Sequence, residues 1–272
     1  MLIWAGTVDR TLRIWVRGAG ELASAIAVSL HRSGFHVWAS ELPEPLAIRR
    51  SVTFSDAVFE GSASVEDIEA VFCEPEGVDS ILASKKMPLM LDDLQAIRAL
   101  QPDVVVDGRM LKCDDPVLRS LASFTIGVGP GFVAGASCGC VIETMRGHDL
   151  GRLIWQGTAS KDTGIPGKIG GESARRVIYS PAAGKAEWLV DFGDQVEKEQ
   201  PLGTVAGVPV LSTLDGMVRG LISPRVAFSE KTKIADVDPR GAEVDFHSIS
   251  DKARSVGRAV LEAVMIYKAN HE

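Results

Sequence analysis

The glycine-rich segment Arg17–Ala23 contains the residues whose types and spacing most clearly suggest chemistry. Gly18, Gly20 and Ala23 match the G-x-G-x-x-G/A pattern of dinucleotide-binding turns. In that pattern the first glycine permits a tight turn from strand to helix. The second lets a phosphate approach the backbone, and the last small residue lets the helix pack closely on the sheet. Because the start of the helix also offers free N–H groups to a pyrophosphate, the segment predicts a nucleotide site.

Two carboxylates would complete such a site from neighbouring strands. Glu41 ends a second apolar run, 21 residues after Gly20, where an acid accepts hydrogen bonds from a ribose hydroxyl. Asp107 follows the apolar run Val104–Val106 and would face the same crevice, although an aspartate before Gly108 also fits an ordinary turn. The predicted cofactor-binding residues are Gly18, Ala19, Gly20, Glu21, Leu22, Glu41 and Asp107.

Glu21 favours a second interpretation of the glycine-rich segment. Its carboxylate lies in the first helical turn, where it already complements the helix dipole and would repel a pyrophosphate. In this alternative the glycines only join a strand to a helix. The sequence leaves both interpretations open.

The four cysteines include one close pair, Cys138 and Cys140, and no C-x-x-C motif. This pair could be a sulfur relay, a redox pair or half of a metal site, or simply two small buried residues in a glycine-rich turn. No H-x-x-x-H or H-x-H pattern adds ligands, so no metal site is predicted. Cysteine usage of this kind is typical of a reducing cytoplasm, which is the predicted location.

The densest polar cluster comprises Arg146, His148 and Arg152. It either binds an anionic ligand or forms a solvated turn. No side chain in the sequence identifies a catalytic role, so the catalytic residues are unknown.

Alternating α and β elements would position these residues. Apolar Leu12–Val16 predicts a first strand, helical spacing from Leu22 to Leu30 predicts a helix that ends at Gly34, and His36–Glu41 predicts a second strand. Further short strands are predicted at 57–60 and 70–72, and helices at 78–84 and 91–100. We therefore expect an α/β, Rossmann-like nucleotide-binding domain over residues 11–175.

Residues 176–240 carry an internal repeat. Ser180–Val205 aligns without gaps on Ser212–Val237 at an offset of 32 residues. This β-rich part resembles the barrel-sandwich hybrid fold of biotinyl and lipoyl carrier domains. No lysine lies between Glu199 and Glu230, where those carriers attach their cofactor, so covalent biotin or lipoate is not expected.

The last predicted element is a helix within residues 248–268. Ser250 is placed to cap it, and an apolar face would pack on the N-terminal domain or on a second subunit, which leaves a homo-oligomer possible.

The 272 residues carry a net charge of −7, which argues against nucleic acid and anionic membranes as main partners. No apolar run is long enough to span a membrane, and Met1–Arg10 lacks the apolar core of a signal peptide and is expected to be a short extension.

Several segments together resemble one family, the YqeB-like accessory proteins of selenium-dependent molybdenum hydroxylase systems. They are Gly18–Ala23, Glu41 with Pro45–Arg50, Pro102–Asp107, Gly127–Phe132, Glu143–Arg152 and Thr163–Gly167. The chain is also similar in role to XdhC-type accessory proteins. The resemblance implies a cytoplasmic maturation factor, with a molybdenum hydroxylase as partner.

Such a factor is expected to bind NAD(P) or molybdopterin dinucleotide in the Rossmann-type crevice. One alternative is an NAD-dependent oxidoreductase, with His148 as the candidate acid–base group, although neither Tyr179 nor Tyr267 begins a Y-x-x-x-K motif. The other is a non-catalytic docking scaffold.

Overall fold

The computed structural model describes residues 11–164 and 167–271. The strands in these ranges are β1 (Arg13–Arg17), β2 (His36–Glu41), β3 (Ser62–Val65), β4 (Ile68–Phe72), β5 (Met87–Leu91), β6 (Val104–Asp107), β7 (Phe124–Val128), β8 (Val133–Ala134), β9 (Cys140–Ile142), β10 (Leu153–Ile154), β11 (Gly157–Thr158), β12 (Val177–Tyr179), β13 (Ala186–Trp188), β14 (Gln195–Val196), β15 (Pro201–Val205), β16 (Val208–Leu211), β17 (Gly216–Leu221) and β18 (Lys233–Asp238). The helices are α1 (Glu21–Arg32), α2 (Ala57–Glu60), α3 (Val78–Ala83), α4 (Leu94–Ala99) and α5 (Asp251–Ala269). The predicted extension Met1–Arg10, and Ile165 and Pro166 of the glycine- and proline-rich loop, lie outside the described residues.

The main sheet has the strand order β10-β9-β7-β6-β1-β2-β5-β4-β3. Its inner strands pair in parallel, and β3 and β10 pair antiparallel at its two edges. Side chains alternate along β1: Ile14 and Val16 join the core beneath α1 and α5, and Trp15 joins the core beneath α3 and α4. Because both faces are covered, β1 and β6 are continuous apolar runs.

Helices α1 and α5 lie together on one face of this sheet. As predicted, Ser250 caps α5: its Oγ accepts a hydrogen bond from the N–H of Ala253 at 3.2 Å. Gly257 allows the close approach, since a Cβ there would lie 2.8 Å from the carbonyl oxygen of Ala25. The cap and this contact place the first turn of α5 beside the start of α1.

The internal repeat is real and appears in the strand register. Ala186 pairs with Val205 in the first half, and 32 residues on Val218 pairs with Val237. The two halves also interlock. Gly184 of the first half forms a β-bridge with Phe228 of the second, and Val196 of the first half pairs with Gly216 of the second. In the first half, β13 and β15 lie in the sheet β13-β15-β16, whereas β14 pairs with β17 of the second half in the sheet β12-β18-β17-β14.

The β-rich part is tied to the N-terminal half. Ile48 belongs to its core, and the Ile48 carbonyl accepts a hydrogen bond from the N–H of Leu221 at 2.8 Å. Arg50 Nε donates to the carbonyl of Leu221 at 2.9 Å. The segment around Ile48 therefore links the main sheet to β17.

The predicted fold class, a Rossmann-like domain followed by a separate barrel-sandwich hybrid domain, is corrected by these observations. The main sheet is a large mixed sheet of nine strands. The β6–β7 connection contains the short 3-10 turn Leu118–Ser120 in place of an α-helix. The β-rich part shares core residues with the N-terminal half. Sequence periodicity detected β1, α1, β2 and the repeat, but it carried no information on how these elements join the β-rich part.

The predicted strand at 57–60 is also wrong. These residues form the short helix α2, and Gly61 ends it in the left-handed conformation at φ 81°. The run Ala57-Val58-Phe59 is apolar enough for either structure, so its composition did not distinguish them.

Candidate functional site

A cavity of about 740 Å³ lies between the start of α1, the start of α5 and the β12-β18-β17 wall. Its lining includes nine basic side chains and three acidic ones. The basic residues are Arg49, Lys112, Arg146, Lys161, Lys168, Arg176, Arg219, Lys233 and Lys252, and the acidic ones are Glu21, Asp162 and Asp236. This excess of positive charge stands out in a chain whose net charge is −7.

A buried ion network forms the β-rich wall of the cavity. Asp236 on β18 accepts a hydrogen bond from Arg176 Nη1 at 2.6 Å and another from Arg219 Nη2 at 2.5 Å. Arg219 also contacts Asp238, which in turn pairs with Arg240, each at 2.8 Å. Burial acts to raise the pKa of Asp236, but the facing cations outweigh it and hold that pKa below its usual range. The network fixes two guanidinium groups at the cavity surface.

Lys233 begins β18 on the same wall. Among the described residues no carboxylate oxygen lies within 4.0 Å of its amine, in contrast to the two arginines beside it. Burial lowers the pKa of Lys233, and Arg176 and Arg219 add to that effect while Asp236 opposes it. The lysine is therefore a desolvated amine with no close counter-ion among the described residues.

Arg49 is a deeply buried cation of the cavity, at 6% exposure. Its one ion pair joins its Nη1 to Glu21 Oε1 at 3.5 Å, and its Nε has no hydrogen-bond partner within the described part of the chain. Burial lowers the pKa of Arg49, although Glu21 acts in the opposite direction. A buried donor left unpaired costs free energy, so this guanidinium is under-satisfied as it stands.

The opposite wall comes from the loop after β9 and the start of α5. Arg146 Nη2 donates to Asp251 Oδ1 at 2.8 Å, and this bond lowers the pKa of Asp251 to about 2. Burial and the neighbouring Arg146 lower the pKa of Lys252. Lys112 pairs with Asp162 at 2.8 Å. Cations therefore face the cavity from both sides.

The predicted polar cluster is divided by the fold. Arg146 lines the cationic cavity, whereas Arg152 pairs with Asp149 at 3.3 Å and lines a second, smaller cavity of about 430 Å³. His148 lines neither of these two.

The glycine turn itself carries an internal carboxylate. Gly18 adopts φ 94°, and the N–H of Ala19 donates to Glu41 Oε2 at 2.8 Å. Burial raises the pKa of Glu41, against two backbone hydrogen bonds that lower it. Glu41 therefore holds a backbone donor that a phosphate would otherwise use.

Asp107 is fully buried within a second ion cluster at the end of β1 and β6. It accepts hydrogen bonds from Arg109 Nε and Nη2 at 3.0 and 2.5 Å and lies 3.7 Å from Arg17. Arg17 also pairs with Asp92 at 2.8 Å and Asp115 at 3.1 Å. Internal ion pairs thus occupy this end of the sheet.

Of the seven predicted cofactor-binding residues, Glu21 and Leu22 line the cationic cavity. Gly18, Ala19, Gly20, Glu41 and Asp107 are not part of its lining, and a role for them in ligand binding stays a prediction. Sequence reasoning missed Arg49, Arg176, Arg219, Lys233 and Lys252. The available signal was basic side chains scattered along an acidic chain, with no local motif to connect them.

Cys138 and Cys140 are both buried, and burial raises their pKa values to about 11 and about 12. These values describe protonated, unreactive thiols at neutral pH, as expected of packing residues. Within the described ranges, no three or more His, Cys, Asp or Glu side chains are grouped to hold a metal ion.

The chain is similar to the uncharacterized protein YqeB of Escherichia coli K12. The two are 41% identical over 253 residues, which cover 92% of this chain and 47% of YqeB. The chain thus spans about half the length of this curated relative. No protein-family model matches.

Comparison with solved structures returned deacylase-like proteins. They include a succinylglutamate desuccinylase/aspartoacylase from Rhodobacter sphaeroides and an aspartoacylase family protein from Mesorhizobium loti, both 13% identical with TM-scores of 0.26 and covering 84% of this chain and 85% of theirs. The ectoine utilization protein EutE from Ruegeria pomeroyi is 12% identical, with a TM-score of 0.27 and coverage of 84% and 86%. Likeness at these scores carries no argument about activity.

The predicted function is corrected. Glu41 accepts from the Ala19 N–H and Asp107 pairs with Arg109, so the chain itself engages the two acids predicted for a nucleotide. The solved structures returned are described as desuccinylase, aspartoacylase and ectoine utilization proteins, and YqeB itself is uncharacterized. The maturation factor with a Rossmann-type crevice, the NAD-dependent oxidoreductase and the docking scaffold are set aside, as is the selenium-dependent hydroxylase link.

Other predictions stand untested. They are NAD(P) or molybdopterin dinucleotide as cofactor, no covalent biotin or lipoate, a molybdenum hydroxylase as partner, and a possible homo-oligomer. The same holds for the domain boundaries and for the cytoplasmic location. No helix in the described part of the chain is long and apolar enough to cross a membrane.

Proposed function

We propose that this protein binds a small molecule bearing two or more phosphate or carboxylate groups in the cationic cavity. The observation that supports it most directly is Arg49. This guanidinium is buried, its Nε has no hydrogen-bond partner among the described residues, and it faces a cavity with nine basic and three acidic side chains. Its single carboxylate partner, Glu21, lies 3.5 Å away, and an anionic ligand in the cavity would add a second counter-charge.

The size of the cavity limits the ligand class. Small-molecule sites typically measure about 300–1,000 Å³, and this cavity of about 740 Å³ lies within that range. Leu22, Met110, Met145 and Ile169 add apolar surface to the lining. A compact polyanion with a short organic part fits this mixture.

The positions of the cations favour a ligand whose anionic groups are separated from each other. Arg176 and Arg219 lie on one wall, held by Asp236, and Arg146 lies on the other, held by Asp251. Each cation is fixed by a carboxylate that occupies only part of its donor set, and guanidinium groups carry five donors. Two anionic groups of one ligand could therefore bind to opposite walls.

Isothermal titration calorimetry with pyrophosphate and with citrate tests this function. We expect both to bind, and the affinity to fall as salt is added because the attraction is electrostatic. Arg146→Gln should weaken binding by about tenfold, in line with the loss of one hydrogen bond to a charged group. The matched control is Arg152→Gln, which removes an arginine six residues away outside the cavity and should bind like the wild type. The proposal would be contradicted if neither pyrophosphate nor citrate bound.

A further inference from the structure

The cavity holds one amine whose surroundings differ from those of an ordinary anion-binding lysine. We propose that Lys233 is a nucleophile that forms an imine with an aldehyde or ketone group of the anionic ligand. The inference rests on the proposed function, because the cationic cavity must first hold that ligand. It narrows the ligand class to small anions that also carry a carbonyl group.

The carboxylate of Asp236, on the same strand as Lys233, is already engaged by other cations. Asp236 lies three residues along the same strand, but Arg176 binds its Oδ1 and Arg219 binds its Oδ2. Both oxygens are thus engaged by guanidinium groups, and Lys233 makes no ion pair within 4.0 Å among the described residues. Lys112, in the same cavity, illustrates the usual arrangement, since its amine pairs with Asp162 at 2.8 Å.

The pairing of β18 with β12 holds the backbone of Lys233 in a fixed position. Lys233 is the first residue of β18 and pairs with Tyr179 of β12, so the strand pairing positions its backbone. Lys233 lines the cavity together with Arg49, Arg176 and Arg219. These guanidinium groups could hold the anionic end of a ligand while its carbonyl carbon faces the amine.

Electrostatics agree with this geometry. A lysine becomes a nucleophile when burial or a neighbouring cation favours its neutral form, and both conditions hold here. Burial lowers the pKa of Lys233, and Arg176 and Arg219 lower it further. The neutral amine is then more populated at neutral pH than that of an exposed lysine.

The reaction requires no oxidant, reductant or second substrate. The amine nitrogen attacks the carbonyl carbon, and the π electrons of the C=O bond move to oxygen. A proton passes from nitrogen to that oxygen to give a carbinolamine. The hydroxyl group then leaves with a second proton as water, and a C=N bond forms between Lys233 and the ligand.

Pyridoxal phosphate is a suitable probe because it carries an aldehyde and a phosphate on one small molecule. The full chain is incubated with the probe and reduced with borohydride, and peptide mass spectrometry locates the labelled lysines. We expect saturable labelling of Lys233 that is roughly tenfold faster than that of the exposed Lys231. Pyrophosphate should compete with this labelling. Pyridoxal, which lacks the phosphate, should label Lys233 more slowly.

Two variants separate this inference from the proposed function. Lys233→Arg keeps the positive charge but lacks a primary amine, so it should lose the saturable labelling that pyrophosphate competes with. Its pyrophosphate affinity is measured separately and reports on the proposed function. Lys231→Arg, two residues away and exposed beside Glu230, is the matched control and should be labelled like the wild type. Labelling spread over surface lysines or centred on Lys252, with pyrophosphate binding intact, would overturn the role of Lys233 alone. If the wild type did not bind pyrophosphate at all, the proposed function would be overturned.

Discussion

Two buried charge clusters of this protein differ in how their cations are paired: in the balanced cluster each cation has carboxylate partners, and in the unbalanced cluster the cations outnumber the carboxylates. At the end of β1 and β6, Arg17 and Arg109 meet three aspartates, Asp92, Asp107 and Asp115, so the cations are fully paired. In the cavity the cations outnumber the anions, and Arg49 keeps an unpartnered Nε among the described residues. A balanced buried cluster serves the fold, whereas an unbalanced one that opens on a cavity is suited to a ligand. Replacements in the two clusters should therefore have opposite effects on stability and binding.

The largest effect is expected at the balanced cluster. Asp107→Asn removes a fully buried negative charge and leaves Arg109 and Arg17 with only Asp92 and Asp115 as partners. Breaking a buried ion pair from one side typically costs about 3–5 kcal/mol of the free energy of unfolding. Urea unfolding measures this cost. Asp79→Asn, which removes the exposed partner of Arg13, is the control and should cost less than about 1 kcal/mol. Equal effects of the two replacements would contradict a structural role for the cluster at Asp107.

The next largest effect is expected at the unbalanced cluster, and it is a loss of pyrophosphate affinity. Arg49→Met removes an under-satisfied buried cation and keeps an apolar side chain of similar length. Stability should stay the same or rise, because replacing a poorly compensated buried charge by an apolar group is often neutral or stabilising. Pyrophosphate affinity should fall about 10- to 100-fold, the equivalent of about 1.5–3 kcal/mol for a hydrogen bond to a charged group. A large loss of stability in urea would show that Arg49 serves the fold instead.

The smallest effect is expected at the exposed rim of the cavity. Arg146 lowers the pKa of Asp251 to about 2 from 3.8, so the folded state favours the charged carboxylate. The resulting stabilisation is present above pH 3.8 and is lost as pH falls through about 2. Because Asp251 is 74% exposed, solvent screening should keep the effect below about 1 kcal/mol. Unfolding of Asp251→Asn and wild type at pH 6 and pH 2 should show a small difference that disappears in acid. A difference that grows in acid would contradict this assignment.

The contrast between the two clusters also explains what sequence could predict. The turn at Gly18, the cap at Ser250 and the 32-residue repeat depend on neighbours in sequence, and each appears in the structure. The cavity depends on residues as distant in sequence as Arg49, Arg146 and Lys233, and the hydrogen bond between Ile48 and Leu221 of β17 joins two of the segments that line it. No local periodicity records that connection.

The sequence also could not show which acids would be engaged internally. Glu41 and Asp107 are well placed for a nucleotide site by spacing alone. In the structure Glu41 accepts the Ala19 N–H and Asp107 pairs with Arg109, because the chain supplies its own partners for both. Glu21 and Leu22 reach the cavity for a different reason: the start of α1 lies beside the start of α5.

The contrast between the two clusters is tested most directly by urea unfolding with and without pyrophosphate. The measurement is made in parallel on the wild type, Asp107→Asn and Arg49→Met. Pyrophosphate should stabilise the wild type by mass action, and Asp107→Asn should start from a lower midpoint but gain as much. Arg49→Met should start at or above the wild-type midpoint and gain little from the anion. The account would be contradicted if Arg49→Met gained as much as the wild type, or if pyrophosphate stabilised none of the three proteins.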